Sequence, residues 1–263
     1  MVATNAQASI RDVAEVYRTI PAPYSQWPGV VVCLQEDDSF AANICNNFGL
    51  ASAGGTHGLL VDAGTDIFRA NGIGPLLKWV DDHIFFRIPR GHLNTYNNQC
   101  RSWNQLVMSN GGQIHESSHI WYKGDTMPDG CPEEFDEDMA TPLCDFSHTS
   151  ACSPDNAIFT YADQDVDLLS DKLGILWETS KTIAFGPIVP YLGFLWDLNT
   201  CSVAIPVEKK LKYLNAIKEW EKKLMHALAE VQKLYCKLLH ASLVITAGCT
   251  YLTNLEAMLS GFC

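Results

Sequence analysis

Residues 75–89 read PLLKWVDDHIFFRIP. Two apolar runs, LLKWV and HIFFRI, flank the adjacent acids Asp81 and Asp82. Apolar runs of this length around a short polar break predict a tight β-hairpin with both acids at its bend. A carboxylate pair held there is either solvated or binds a metal ion. Just upstream, GLLVDAGTDIFRANG (58–72) has apolar residues at helical spacing and stops at Asn-Gly, which predicts a helix with a C-terminal stop. Further back, GVVVCL (29–34) and FAANIC (40–45) predict a second hairpin around a polar break.

Four zones follow along the chain. Residues 1–110 hold these hairpins and one helix. Residues 111–165 are rich in Gly, Pro, Asp, Ser and Cys, and their weak periodicity predicts an acidic, irregular insert. In residues 166–206, beginning with the end of DVDLLSDKLGI, a short helix is followed by a hairpin from VPYLGFLWDL and CSVAIP. Residues 207–263 are helical in three pieces. Trp79, Trp177 and Trp196 are assigned to the core. The overall expectation is an α+β fold.

The formal net charge is −12, which at first weighs against a nucleic-acid partner. The acid is concentrated: residues 115–171 hold 14 of the 30 Asp and Glu but only one of the 18 Lys and Arg, Lys123. The remainder is close to neutral and can still present a basic face. No run of about 18 or more apolar residues suggests a membrane span, and MVATNAQASIRD carries no basic start and apolar core of a secretory signal. The ten cysteines are scattered without a CxxC pair, so reduced thiols in an intracellular (cytoplasmic or nuclear) protein are expected.

Five stretches, in order, resemble the palm and thumb of retroelement reverse transcriptases. RDVAEVYRTIP (11–21) is similar to the first palm motif, an Asp followed five residues later by an aromatic. NNFGLASAGG (46–55) is similar to the second, a Phe-Gly turn opening a helix, and KWVDDHIF to the aromatic-x-Asp-Asp third. VPYLGFLWDL resembles the hairpin that grips the primer end. EVQKLYCKLLHAS with AGCTYLTNLEAML resembles the helical thumb of fungal retrotransposon polymerases. The resemblance implies an RNA-directed DNA polymerase fragment using Mg2+ or Mn2+ on a template–primer and dNTP. Asp12, Asp81 and Asp82 would bind the metals, by the two-metal chemistry of nucleotidyl transfer. It further implies Tyr17, Phe48 and Gly49 at the nucleotide, and Leu192, Gly193 and Phe194 at the primer. Lys209, Lys210, Lys212, Lys233 and Lys237 would meet the nucleic-acid backbone. The family's fingers, with their triphosphate-binding basic residues, and its ribonuclease H domain have no counterpart in this sequence. Cys236 and Cys249 stand where relatives carry Gly and Arg. The resemblance therefore implies slow or undetectable extension by this chain alone.

Two other readings compete. One is a non-catalytic remnant that binds nucleic acid or protein. The other comes from His115-Glu116-Ser117-Ser118-His119, which spells H-E-x-x-H, the zinc-hydrolase signature in which His115 and His119 bind zinc from one helical face. The Gly-Gly approach and irregular surroundings predict that residues 115–160 are largely irregular and that these imidazoles share no zinc.

Overall fold

The computed structural model describes residues 5–34, 39–46, 53–114, 120–126, 130–137, 142–146, 148, 156–245 and 247–261. The chain divides into two compact units, Met1–Pro187 and Ile188–Cys263. Among the described residues no helix is long and apolar enough to cross a membrane.

The first unit is built on β1 (Gln7–Asp12), whose residues Ala8 to Asp12 are all buried. After the hairpin of β2 (Val31–Leu34) and β3 (Ser39–Ala42) comes α1 (Ala53–Ala70). Its buried residues Ala53, His57, Thr65 and Phe68 repeat at helical spacing, which gives one inward face. The chain turns out of the helix at Gly72, with φ +80°, where an added Cβ would lie 2.4 Å from Cys144 Sγ. Only glycine suits both the dihedral and the space. The expected acid-bearing hairpin is formed by β4 (Leu76–Trp79) and β5 (Asp82–Arg87).

Next come α2 (Leu93–Ser109), β6 (Gln113–Ile114), β7 (Ile120–Thr126), β8 (Pro132–Glu137), α3 (Asp163–Leu173) and β9 (Ile183–Gly186). The main sheet has the order β4-β5-β1-β9, with antiparallel neighbours throughout. Its core gathers Phe68 from α1, Leu76 and Phe85 from the sheet, Val166 from α3, and Ile73 and Tyr161 from the connecting segments. Each such buried side chain is worth about 1.5–3 kcal/mol.

Three expectations need correction. Residues 111–165 are not simply an irregular insert, because β6, β7 and β8 pair into a three-stranded antiparallel sheet. Alternating Trp121, Lys123 and Asp125 hid a strand whose pairing lies in the partner strand rather than in its own pattern. The helix α2 went unread because LNTYNNQCRSWNQLVMS is mostly polar; its buried Asn97 is satisfied by both the N–H and the C=O of Leu143, each at 2.9 Å. Trp79 is 64% exposed, because it stands on the same sheet face as its cross-strand partner Asp82.

The second unit contains β10 (Ile188–Tyr191), β11 (Phe194–Asp197) and β12 (Ser202–Ala204), a three-stranded meander rather than one hairpin. It also contains α4 (Val207–Trp220), α5 (Leu228–Ser242) and α6 (Thr253–Ser260). Val231, Leu234, Leu252 and Leu255 form its helical core. The meander belongs to the same compact unit as these helices.

Arg11 fastens β1 to α3. It is buried and pairs with Asp163 at 3.0 Å and with Asp167. Both acids remain partly exposed, so losing the guanidinium leaves them hydrated. Arg11→Ala should therefore cost about 3 kcal/mol, the low end for breaking a buried pair. Asp167→Ala should cost less than about 1 kcal/mol. Urea denaturation of the two variants measures both values.

Candidate functional site

Strand alternation decides what the main sheet presents. Ser9, Arg11, His83 and Phe85 share one face, which packs on α1 and α3, because directly paired residues in antiparallel strands point the same way. Asp12 lies on the other face, directly opposite Asp82 across the β1–β5 ladder. Asp81 occupies the two-residue turn between β4 and β5, after Val80 with φ +58°. The Val13 N–H donates to the Asp81 carbonyl at 3.1 Å, tying the end of β1 to that turn. All three acids therefore meet at one end of the sheet.

Their shared charge is visible in Asp82. Burial, then the Asp81 and Asp12 carboxylates, push its pKa up, while Lys181 pulls it down. Lys181 comes from the segment before β9, which is anchored by Glu178 N–H to Asp12 C=O at 2.8 Å and Ala14 N–H to Leu176 C=O at 2.8 Å. Its ammonium donates to Asp12 Oδ2 at 2.6 Å, and its own pKa is raised by that bond and by the attraction of all three acids. Sequence reasoning missed Lys181, which stands 169 positions from Asp12 with no local signal.

Two histidines lie behind the acids, also unread in the sequence. His83 Nδ1–H donates to the Asp81 carbonyl at 3.0 Å, and burial drives its pKa down to about 4. His57 is buried on α1; burial lowers its pKa, and its Nε2 has no hydrogen-bond partner among the described residues. The Tyr17 ring meets His57 edge-on, with centroids 5.5 Å apart.

Phe48, Gly49, His115 and His119 lie outside the described residues. Among the described residues, no group of three or more His, Cys, Asp and Glu side chains is placed so that it could hold a metal ion, Asp12, Asp81 and Asp82 included. In the second unit, Leu192 and Gly193 form the turn between β10 and β11, and Phe194 begins β11. Lys209, Lys210 and Lys212 lie on α4, Lys233 and Lys237 on α5. The Lys209 ammonium donates to the Gly193 carbonyl at 3.2 Å. Lys233 and Lys237 line a cleft with Trp220, Lys223 and Glu230.

An antiparallel sheet with Asp12 on an inner strand, Asp82 opening the neighbouring strand and Asp81 in the adjoining turn, followed by a helical C-terminal part, is an α+β fold of the reverse-transcriptase kind. Solved structures it is similar to include foamy viral protease-reverse transcriptase in complex with an RNA/DNA hybrid (TM-score 0.52) and the dRH form of that protein in complex with double-stranded DNA (TM-score 0.50). Identity is 11% in both cases. The likeness covers 97% of this chain but only 24% and 31% of those chains, so the chain spans a quarter to a third of their length. No protein-family profile and no curated protein matches the sequence.

Two pH responses follow. The His83 pKa is depressed from 6.5 to about 4, so its contribution is fully present above pH 6.5 and is lost as pH falls toward 4. That is on the order of 3 kcal/mol, and His83→Asn should flatten urea-measured stability over this window. The raised pKa of Asp82 has the opposite sign: wild-type stability is lost as pH climbs through the carboxylate range. Asp82→Asn should thus resist urea better than wild type at pH 7, and the advantage should vanish below pH 3.

Proposed function

We propose that the chain is the palm and thumb portion of a retroelement RNA-directed DNA polymerase, binding a template–primer and extending it with dNTP. The observation that carries this reading is the register Asp12 opposite Asp82 with Asp81 at the adjoining bend, in a reverse-transcriptase-like fold. Both similar structures are complexes with nucleic acid, which supports the same class of partner here.

The donor set suits Mg2+ or Mn2+. All three groups are carboxylates, and hard cations favour oxygen. Burial and then the neighbouring carboxylates raise the pKa of Asp82, and a cation would relieve that repulsion. Magnesium at phosphoryl-transfer sites completes its shell with water and substrate phosphates rather than with a closed protein cage, so the open arrangement fits. Asp12, Asp81 and Asp82 would hold the ions. When bound, the ions neutralise charge on the attacking and leaving oxygens and polarise the phosphoryl group. Lys181 supplies positive charge at Asp12 in the meantime, and its exposed, flexible stem lets it yield that oxygen. Tyr17, braced by His57, would face the sugar of the incoming nucleotide, with Phe48 and Gly49 beside it. Lys210, Lys212, Lys233 and Lys237 would meet backbone phosphates, a contact that weakens steeply with salt.

The test is binding of an RNA template with a DNA primer, followed by single-nucleotide addition in Mg2+ or Mn2+. Wild type should bind in a salt-dependent manner and add nucleotides, slowly. Asp81→Asn should cut addition at least about a hundredfold, the usual loss when one preorganised charge-stabilising group goes, while leaving duplex affinity nearly intact. Addition that survives Asp81→Asn refutes the site. Binding with no addition under any metal favours the non-catalytic nucleic-acid-binding reading, and absence of binding refutes both.

A further inference from the structure

The segment after β1, the middle of α1 and the end of α3 line a cavity of about 380 Å3 within the first unit. It lies on the face of the main sheet that carries His83, whereas Asp12 is on the opposite face; none of the three acids lines it. Its walls are apolar, with Val16, Ile20, Val61, Phe68 and Ile175 among them. Leu60 and Leu176, both more than half exposed, stand at its mouth. A concave, mostly apolar hollow of this size with few polar groups is the usual form of a small-ligand site.

Three lining side chains carry nitrogen or oxygen: Thr19, His57 and His83. The Thr19 hydroxyl turns back to the Val16 carbonyl, and His83 Nδ1–H donates to the Asp81 carbonyl. His57 is different. It is 2% exposed, and its Nε2 has no hydrogen-bond partner among the described residues. Burial lowers its pKa, so the imidazole is neutral at pH 7. A buried polar atom left unpaired costs stability, so its presence calls for an explanation. Rotation about Cβ–Cγ, the soft torsion of a histidine ring, brings the enclosed Nε2 to the cavity.

We propose that this cavity is a binding site for a small neutral aromatic alcohol, a phenol or naphthol, with His57 Nε2 as its polar anchor. The lining selects the class. A carboxylate or ammonium would lose its hydration against aliphatic side chains, with no opposite charge in the walls to offset the loss. A bare hydrocarbon would fill the volume and leave Nε2 unpaired. A hydroxyl both donates and accepts, so it pairs with Nε2 in either neutral tautomer. A flat ring also suits walls that offer the rings of Phe68 and His83. The site stands apart from the carboxylates, so its occupancy does not depend on the polymerase reading.

The test measures binding of 2-naphthol and naphthalene to the whole chain by equilibrium dialysis, with 2-naphthoate as the charged control. Wild type should bind one 2-naphthol per chain and no 2-naphthoate at the same concentration. His57→Phe keeps a ring of similar shape and removes the unpaired nitrogen, so the fold is retained. The preference for 2-naphthol over naphthalene, taken as the ratio of their Kd values, should fall at least about tenfold in this variant. That is the loss expected for one buried hydrogen bond. Gly64→Leu fills the cavity from α1, where an added Cβ meets only Ile175 Cδ1, at 3.4 Å. It also replaces a glycine in a helix interior with a better helix former. This variant should weaken 2-naphthol and naphthalene alike, by at least about tenfold. An unchanged ratio in His57→Phe overturns the anchor, and unchanged binding in Gly64→Leu overturns the location. Binding of 2-naphthoate as tight as that of 2-naphthol overturns the ligand class. Folded wild type that binds no 2-naphthol overturns the site, whatever the outcome of template–primer extension.

Discussion

The strand β1 carries opposite charges on consecutive residues, and the alternation of a strand sends them to opposite faces of the sheet. Arg11 goes down to Asp163 and Asp167 on α3, and Asp12 goes up to meet Asp82. A slip of one residue would put the guanidinium among the acids and the carboxylate against the acidic end of α3. The buried ion pair therefore does more than contribute stability: it selects the register on which the carboxylate cluster depends.

From that register the remaining geometry of the first unit follows. Pairing of β1 with β5 brings Asp82 opposite Asp12, and the tight turn before β5 leaves Asp81 alongside. The backbone bonds from Val13 to Asp81 and from Glu178 to Asp12 draw the turn and the Lys181 segment to the same end of the strand. Concentrated negative charge is costly in a half-buried setting. The raised pKa of Asp82 expresses that cost, and the Lys181 ammonium partly offsets it. His83 supports the bend from behind through the Asp81 carbonyl, and burial keeps its imidazole neutral. In the second unit, Lys209 from α4 and His240 from α5 bond the two carbonyls of the turn between β10 and β11.

Much was legible in the residues alone wherever the signal was local. The β4–β5 hairpin, α1, α3 and the helices after residue 207 are written in apolar spacing of two or of three to four, with Gly and Asn at the stops. Of the acid pair expected at the bend, Asp81 does stand in the two-residue turn, whereas Asp82 opens β5 opposite Trp79. The helix α2 and the sheet β6-β7-β8 were not legible, because their partners lie elsewhere in the chain: Asn97 is at home in α2 only because Leu143 supplies both halves of its hydrogen bonding.

The sequence by itself determined the local elements and the placement of Asp81 at a hairpin bend, since turn chemistry and hydrophobic period act over a few residues. The tertiary structure alone decided that Asp12 faces Asp82, that Lys181 reaches Asp12, that His57 and His83 lie behind the site, and that His240 reaches the Leu192 carbonyl 48 positions away. These are long-range pairings of polar groups, and polar groups have no periodicity to announce them. Their partners are selected by strand register and by the requirement that buried hydrogen-bonding groups be satisfied.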